Sequence, residues 1–149
     1  MQAVKEEHGF TVIEMTVTCM IIGLFFALAV PVWLETKVRL ERDLFLHQMA
    51  STIQMAQVEA RTREETVTMI LSNVNQTVRV QQQNKVIHSI TIPHAYQLRS
   101  NYPDQVLTFH KTGHIRGGTI TFWRDQLEVG KLVVGVAAGQ VRIEVKPYE

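Results

Sequence analysis

Residues 15–34 have the sequence MTVTCMIIGLFFALAVPVWL, and none of them carries a charge. As one helix, residues 10–34 would span roughly 37 Å, more than the roughly 30 Å hydrocarbon core of a bilayer. A buried core helix of this length usually has polar residues along one face, and this segment has no such face. The sequence therefore predicts a membrane-spanning helix close to the N-terminus.

The apolar segment differs from a cleavable secretory signal. Such a signal has an apolar stretch of roughly 7–15 residues followed by a cleavage site of small residues. Here the apolar run is longer, and Pro31-Val32-Trp33-Leu34 leads directly to Glu35 without such a site. We therefore expect the segment to remain in the mature protein.

Glu14 places a carboxylate at the start of the apolar run. Such a charge costs on the order of 2.5–3.5 kcal/mol at the centre of a bilayer, less near its surface, and requires a partner. The neighbouring sequence offers no partner, so we expect another molecule to supply one.

The sequence GFTVIE at residues 9–14, between a short charged leader and the apolar run, closely resembles the processing site of type IV pilins and pseudopilins. The resemblance implies that a membrane-embedded prepilin peptidase cuts between Gly9 and Phe10 on the cytoplasmic side. Residues 1–9 would then be the leader peptide, and the new amine of Phe10 would be methylated. The resemblance also implies that Glu14 pairs with the N-terminal amine of a neighbouring subunit during assembly.

Two further residues of the apolar helix have alternative interpretations. Pro31 falls where many pilin helices have a kinking proline, since proline removes one backbone hydrogen bond, but it also fits the point of membrane exit. Cys19 is interpreted as a small packing residue rather than a reactive thiol. As the single cysteine, it excludes an intrachain disulfide.

After Leu34 the apolar residues recur at the helical period. They are Leu34, Val38, Phe45, Met49, Ile53, Ala56 and Ala60. Residues 10–34 are predicted to form the transmembrane and assembly helix. Residues 35–149 are predicted to form an α+β domain whose amphipathic helix continues to about Arg63. No Gly- or Pro-rich linker separates the two parts.

From about residue 66 onward, short β-rich runs separated by turn residues replace the helical pattern. The predicted strands are residues 66–72, 77–81, 85–92, 106–109, 119–123, 127–129, 131–136 and 140–145. Asn73-Val74-Asn75 is a predicted turn, and Gly130, Gly135 and Gly139 are predicted turn or bulge positions. The fold class is therefore α+β, a pilin-like lollipop with an antiparallel sheet packed on the second half of the helix.

The C-terminal strands carry a weaker resemblance of their own. Residues 117–122, GGTITF, and residues 139–143, GQVRI, resemble minor pseudopilins of the GspH/FimT kind and the ComGD pseudopilin of Gram-positive competence systems. Many Gram-negative major pilins close a C-terminal loop with a disulfide. The absence of cysteine after Cys19 argues against that subgroup.

The sequence contains little that indicates a catalytic site or a metal-binding site. His110 and His114 have a spacing found among metal ligands, and His88 and His94 lie nearby in sequence, but the β-rich context lacks the helix that would bring such a pair together. No nucleophile elbow, phosphate-binding loop or paired carboxylates occur. We expect no enzyme activity, no metal, no cofactor and no small-molecule substrate.

The overall charge is close to neutral, with 15 Lys and Arg against 14 Asp and Glu, which excludes a strongly basic nucleic-acid binder. From Arg79 onward, however, the sequence contains nine basic residues and only five acidic ones. This excess fits either an ordinary solvated surface or a weak DNA-binding face. Arg116 and Arg124 are the first candidates for DNA contact.

These features together predict a minor pseudopilin of a competence pilus that helps to initiate or cap a DNA-uptake filament. The expected location is the cytoplasmic membrane, with one pass, the N-terminus cytoplasmic before processing and the C-terminal domain outside, at the cell surface after assembly. Expected partners are other pseudopilins, the prepilin peptidase and the membrane. Three alternatives remain: a type II secretion pseudopilin, a DNA-contacting tip subunit and a single-pass receptor that never polymerises.

Overall fold

The computed structural model describes residues 11–135 and 140–146. The chain divides into two compact units, residues 1–42 and 43–149. Helix α1 (Val12–Thr62) provides the described part of the first unit and the first element of the second. The strands are β1 (Val67–Ser72), β2 (Thr77–Gln82), β3 (Lys85–Thr91), β4 (Gln97–Ser100), β5 (Val106–Phe109), β6 (Gly118–Arg124), β7 (Leu127–Val134) and β8 (Val141–Val145), with one 3-10 turn at Pro103–Gln105.

Within the second unit, α1 buries one face against the strands. The predicted core positions Phe45, Met49, Ile53, Ala56 and Ala60 are all buried, which confirms the helical period over this stretch. The Phe45 ring packs edge-on against Phe122 of β6, with ring centroids 5.7 Å apart. At Leu34 the prediction of a core-facing residue was wrong, because Leu34 belongs to the first unit and is 57% exposed.

The strands form two antiparallel sheets instead of the one sheet that was expected. The first sheet has the order β3-β2-β1-β5, and the second has the order β4-β6-β7-β8. Strand β4 was not predicted, because its four residues include a single apolar side chain, Leu98. A half-buried strand this short is too brief to show an alternating pattern.

Strand β7 is continuous where two strands were predicted on either side of Gly130. Its pairing with β6 shifts by one residue, because Phe122 faces Gly130 whereas Trp123 faces Glu128. This β-bulge places the extra residue next to the glycine. A Cβ at Gly130 would lie 3.2 Å from the Leu46 side chain, so the glycine serves close packing of α1 and does not end the strand.

The side chain of Asn73 links the two sheets. Its Nδ2 donates to the Leu98 carbonyl at 2.7 Å, and its Oδ1 accepts from the Leu98 N–H at 2.9 Å. Asn73 lies in the turn after β1, as predicted, and Leu98 lies in β4 of the second sheet. The amide therefore bonds to the backbone of β4 in the way a neighbouring strand would.

Asn73→Ala should lower the free energy of unfolding by about 1–3 kcal/mol, because it leaves the Leu98 N–H and carbonyl without this partner. Thermal unfolding of the full chain in detergent, followed by circular dichroism, measures the loss. Asn75→Ala is the matched control, since Asn75 is exposed in the same turn and its side chain makes no hydrogen bond within the described ranges. Equal stability of the two variants would contradict this role for Asn73.

Gly118 allows β6 to begin directly beside the ring of Tyr102. A Cβ at this position would lie 2.5 Å from Tyr102 Cζ and 2.6 Å from Asn101 Oδ1. The Tyr102 hydroxyl donates to the Arg116 carbonyl at 3.0 Å, and Asn101 Oδ1 accepts from the Thr119 N–H at 2.8 Å. Burial raises the pKa of the Tyr102 phenol to about 12, although the positive charge of Arg116 acts in the opposite direction.

Gly118→Ala should lower the free energy of unfolding by about 1–3 kcal/mol, because the added methyl displaces a packed ring and a bonded amide. Gly135→Ala is the control, since a Cβ there would meet only the Gln140 carbonyl at an ordinary 3.5 Å. Urea unfolding of both variants in the same detergent gives the comparison. If the Gly118→Ala protein were as stable as the control, Tyr102 would be able to move aside without lowering the free energy of unfolding.

Candidate functional site

The N-terminus of α1 is closed by a reciprocal pair of hydrogen bonds between Thr11 and Glu14. The Glu14 N–H donates to Thr11 Oγ1 at 3.3 Å, and the Thr11 N–H donates to Glu14 Oε2 at 3.4 Å. This arrangement is a capping box, in which two N–H groups at the start of the helix find side-chain acceptors. Thr11 therefore supplies hydrogen bonds to Glu14 but no counter-charge, and the pairing of Glu14 with an amine of another molecule remains a prediction.

The capping box also has an electrostatic consequence for Glu14. The N-terminus of a helix carries a partial positive charge, so a carboxylate in the first turn is stabilised there. Glu14 nevertheless remains exposed and keeps further lone pairs for a second donor. The cap thus orients the carboxylate at the helix end while leaving room for a cation from another molecule.

The predicted processing residues, Gly9 and Phe10, lie outside the described residues. The cut between them and the methylation of Phe10 therefore remain predictions.

The first part of α1 is long and apolar enough to cross a membrane. Large apolar side chains are exposed on all sides of it, among them Ile13, Met20, Phe25, Phe26, Leu28 and Trp33. An exposed apolar surface of this extent requires lipid or partner helices around it. The helix therefore has the surface of a membrane or helix-packing segment.

The few hydroxyl side chains on this segment bond to their own helix. Thr16 Oγ1 donates to the Val12 carbonyl at 2.8 Å, and Thr18 Oγ1 donates to the Glu14 carbonyl at 2.6 Å. A hydroxyl that is satisfied in this way costs less in hydrocarbon than one without an acceptor. The threonines are therefore compatible with an apolar surrounding.

Pro31 lies inside α1 and does not end it. Because proline has no N–H, the Ala27 carbonyl loses the donor that position 31 would otherwise supply. A bend at Pro31 remains a prediction, and its place within the helix is compatible with one. Cys19 is exposed on the same segment.

The loop with the histidine pair forms a turn that is fixed to the helix. The His110 N–H donates to the His114 carbonyl at 2.9 Å, while the buried Gln57 side chain donates to the Gly113 carbonyl at 2.8 Å. Gly113 has φ of 77°, which suits glycine. His88 lies on β3 and His94 follows that strand. In the described part of the chain, no three His, Cys, Asp or Glu side chains are grouped so that they could hold a metal ion.

The two arginines proposed for DNA contact do not lie together. Arg116 precedes β6 and Arg124 ends it, and a seven-residue strand is about 20 Å long. Arg124 lies 3.6 Å from the Asp125 carboxylate and over the Tyr96 ring. The structure therefore does not unite the two arginines in one basic site.

The chain matches no protein-family model and no curated protein. It is similar to the solved structure of FimU, a type IV minor pilin of Pseudomonas aeruginosa, with a TM-score of 0.57 and 14% identity over 73% of this chain and 90% of that chain. It is also similar to EpsH, a minor pseudopilin from the type 2 secretion system of Vibrio cholerae, with a TM-score of 0.55 and 11% identity over 69% and 95% of the two chains. At such low identity the likeness shows the fold, which is pilin-like and confirms the predicted α+β class.

Proposed function

We propose that this chain is a minor pseudopilin, a structural subunit rather than an enzyme. It would be made as a prepilin, cut after Gly9, held in the cytoplasmic membrane by α1 and then built into a short filament. The observation that carries the proposal is the sequence GFTVIE at residues 9–14, directly before an uncharged helix and a domain of pilin-like fold. The sequence motif and the fold are independent signals that point to the same kind of protein.

The surface of α1 gives this proposal its physical basis. In the membrane, lipid would cover the apolar side chains between Val12 and Leu34. In a filament, the helices of sibling subunits would cover them instead, and Glu14 would pair with the N-terminal amine of a neighbour. The partners proposed here are therefore other pseudopilins and, before assembly, the prepilin peptidase.

Among machines that use such subunits, we propose a competence pilus that takes up DNA. The support is the resemblance of the C-terminal strands to ComGD. The likeness to EpsH favours the second candidate, a type II secretion pseudopilus. Genes for other small prepilins and a DNA-translocation operon nearby would favour competence, whereas a gene for an outer-membrane secretin would favour secretion.

Deletion of the gene tests the role in assembly. If the chain initiates or caps a competence filament, its loss should abolish both filaments and DNA uptake, and affinity capture of the natural protein should recover sibling pseudopilins. Intact filaments without DNA binding would indicate a DNA-contacting tip subunit instead. A mature protein that retains residues 1–9 would favour a receptor that never polymerises.

A further inference from the structure

The outer face of the second sheet contains a polar groove of about 580 Å³. Leu98 of β4 and Phe122 of β6 point into the core, so the alternating neighbours Arg99 and Trp123 lie on the opposite, outward face. Its lining includes His94, Gln97, Arg99, Trp123, Asp125 and Gln126. This volume lies within the usual range for sites that bind small ligands, and one amino-acid side chain is a group of that size.

Arg99 and Trp123 form a stacked pair within this groove. The Arg99 guanidinium carbon lies 4.5 Å from the centre of the Trp123 ring. The indole N–H donates to Thr121 Oγ1 at 3.0 Å, and this hydroxyl in turn donates to the Arg99 carbonyl at 3.1 Å. These two hydrogen bonds hold the indole in place, and the Arg99 guanidinium contacts it at cation–π distance.

Unlike two other cations of the second sheet, Arg99 has no ion-pair partner among the described residues. Lys131 is paired with Glu144 at 2.9 Å, and Arg124 lies 3.6 Å from Asp125. No carboxylate in residues 11–135 or 140–146 lies within ion-pair distance of Arg99. The Arg99 guanidinium thus lies over the indole, is exposed and remains able to donate to an acceptor.

We propose that this groove binds a carboxylate side chain of an acidic polypeptide segment. The N–H fork of Arg99 would hold the carboxylate, since a planar guanidinium matches a carboxylate through two parallel hydrogen bonds. Trp123 would pack against the methylene groups of the same side chain. The amides of Gln97 and Gln126 each offer a donor and an acceptor to the peptide backbone.

The charges of the groove favour a peptide over a nucleic acid. Asp125 is part of the lining, and the other nearby guanidinium, Arg124, lies against that carboxylate. A strand of successive phosphates would bring several negative charges to one guanidinium and the Asp125 carboxylate, whereas a peptide can present one carboxylate to Arg99 and uncharged groups to the rest of the groove. This inference is independent of whether the chain assembles into a filament.

Trp123 can report binding directly. The chain contains two tryptophans, so Trp33→Phe leaves Trp123 as the single source of tryptophan fluorescence. The full chain with this change, in detergent, is titrated with a capped peptide of alternating glutamate and glycine, and with a peptide in which glutamine replaces glutamate. We expect a saturable change with the glutamate peptide and an affinity at least about ten-fold weaker for the glutamine peptide.

Three variants in this background test the assignment to Arg99. Arg99→Gln should weaken binding of the glutamate peptide at least about ten-fold, and Arg99→Lys should also weaken it, because lysine keeps the charge but loses the planar fork. Arg79→Gln removes the same charge from an exposed position on β2 of the first sheet and should leave binding unchanged. Unchanged circular dichroism of all three confirms that the fold is intact.

Two results would overturn the proposal. Equal binding of the glutamate and glutamine peptides would show that no carboxylate is recognised. Tighter, Arg99-dependent binding of an oligothymidylate than of the glutamate peptide would assign the groove to nucleic acid instead.

Discussion

Replacement of Gly9 by valine should leave the protein at its full length in the membrane and remove essentially all of its mature form. The proposed peptidase must reach the backbone between residues 9 and 10, and glycine has no side chain to obstruct it. Without the cut, Phe10 has no free amine to offer a neighbouring subunit. We therefore expect both processing and assembly to be lost together.

The variant is expressed in the natural host, and the mass of its N-terminal peptide shows whether the leader has been removed. Gly23→Val is a matched control, because it makes the same chemical change within the apolar helix, and a Cβ at Gly23 would meet no atom within 4 Å. The control should lose its leader normally. If the Gly9→Val protein were shortened by residues 1–9 as well, the cut would not depend on glycine at position 9. An N-terminus at another residue would show that the cut is wrongly assigned.

The helix and strands of this fold could be predicted where a periodic pattern of apolar residues extends over enough of the sequence. The helical period from Phe45 to Ala60 identified the buried face, and the alternating runs located most of the strands. Strand β4 was missed because four residues with one apolar side chain carry too little pattern. Without β4, neither the second sheet nor its place beside Asn73 could be predicted.

The groove at Arg99 depends on that missing strand. Arg99 and Trp123 lie 24 positions apart in sequence and come together through the pairing of β4 with β6. The local sequence around each residue is compatible with an exposed or half-buried surface position and does not indicate that Arg99 and Trp123 are in contact. By contrast, the capping box at Thr11 and Glu14 is a local signal, a threonine followed three residues later by glutamate before an apolar run, and it was available in the sequence.

Replacement of Glu14 by glutamine should preserve membrane insertion and strongly reduce assembly. The glutamine carbonyl can still accept from the Thr11 N–H, so the reciprocal cap of α1 is retained while the charge is removed. A charge-assisted hydrogen bond contributes about 1.5–3 kcal/mol, and each 1.4 kcal/mol is about ten-fold in an equilibrium. We therefore expect at least about a ten-fold loss of filament-associated protein, with normal amounts in the membrane.

Thr11→Ala separates the two roles of Glu14. It removes the hydroxyl that accepts from the Glu14 N–H, which costs a helix N-terminus about 1 kcal/mol, but it keeps the carboxylate. If the charge of Glu14 recruits a neighbour's amine, Thr11→Ala should assemble far better than Glu14→Gln. If the cap alone mattered, Thr11→Ala would be the more damaging change, because Glu14→Gln leaves both hydrogen bonds in place. Normal assembly of the Glu14→Gln protein would exclude charge pairing, and the carboxylate would then serve only to begin the helix.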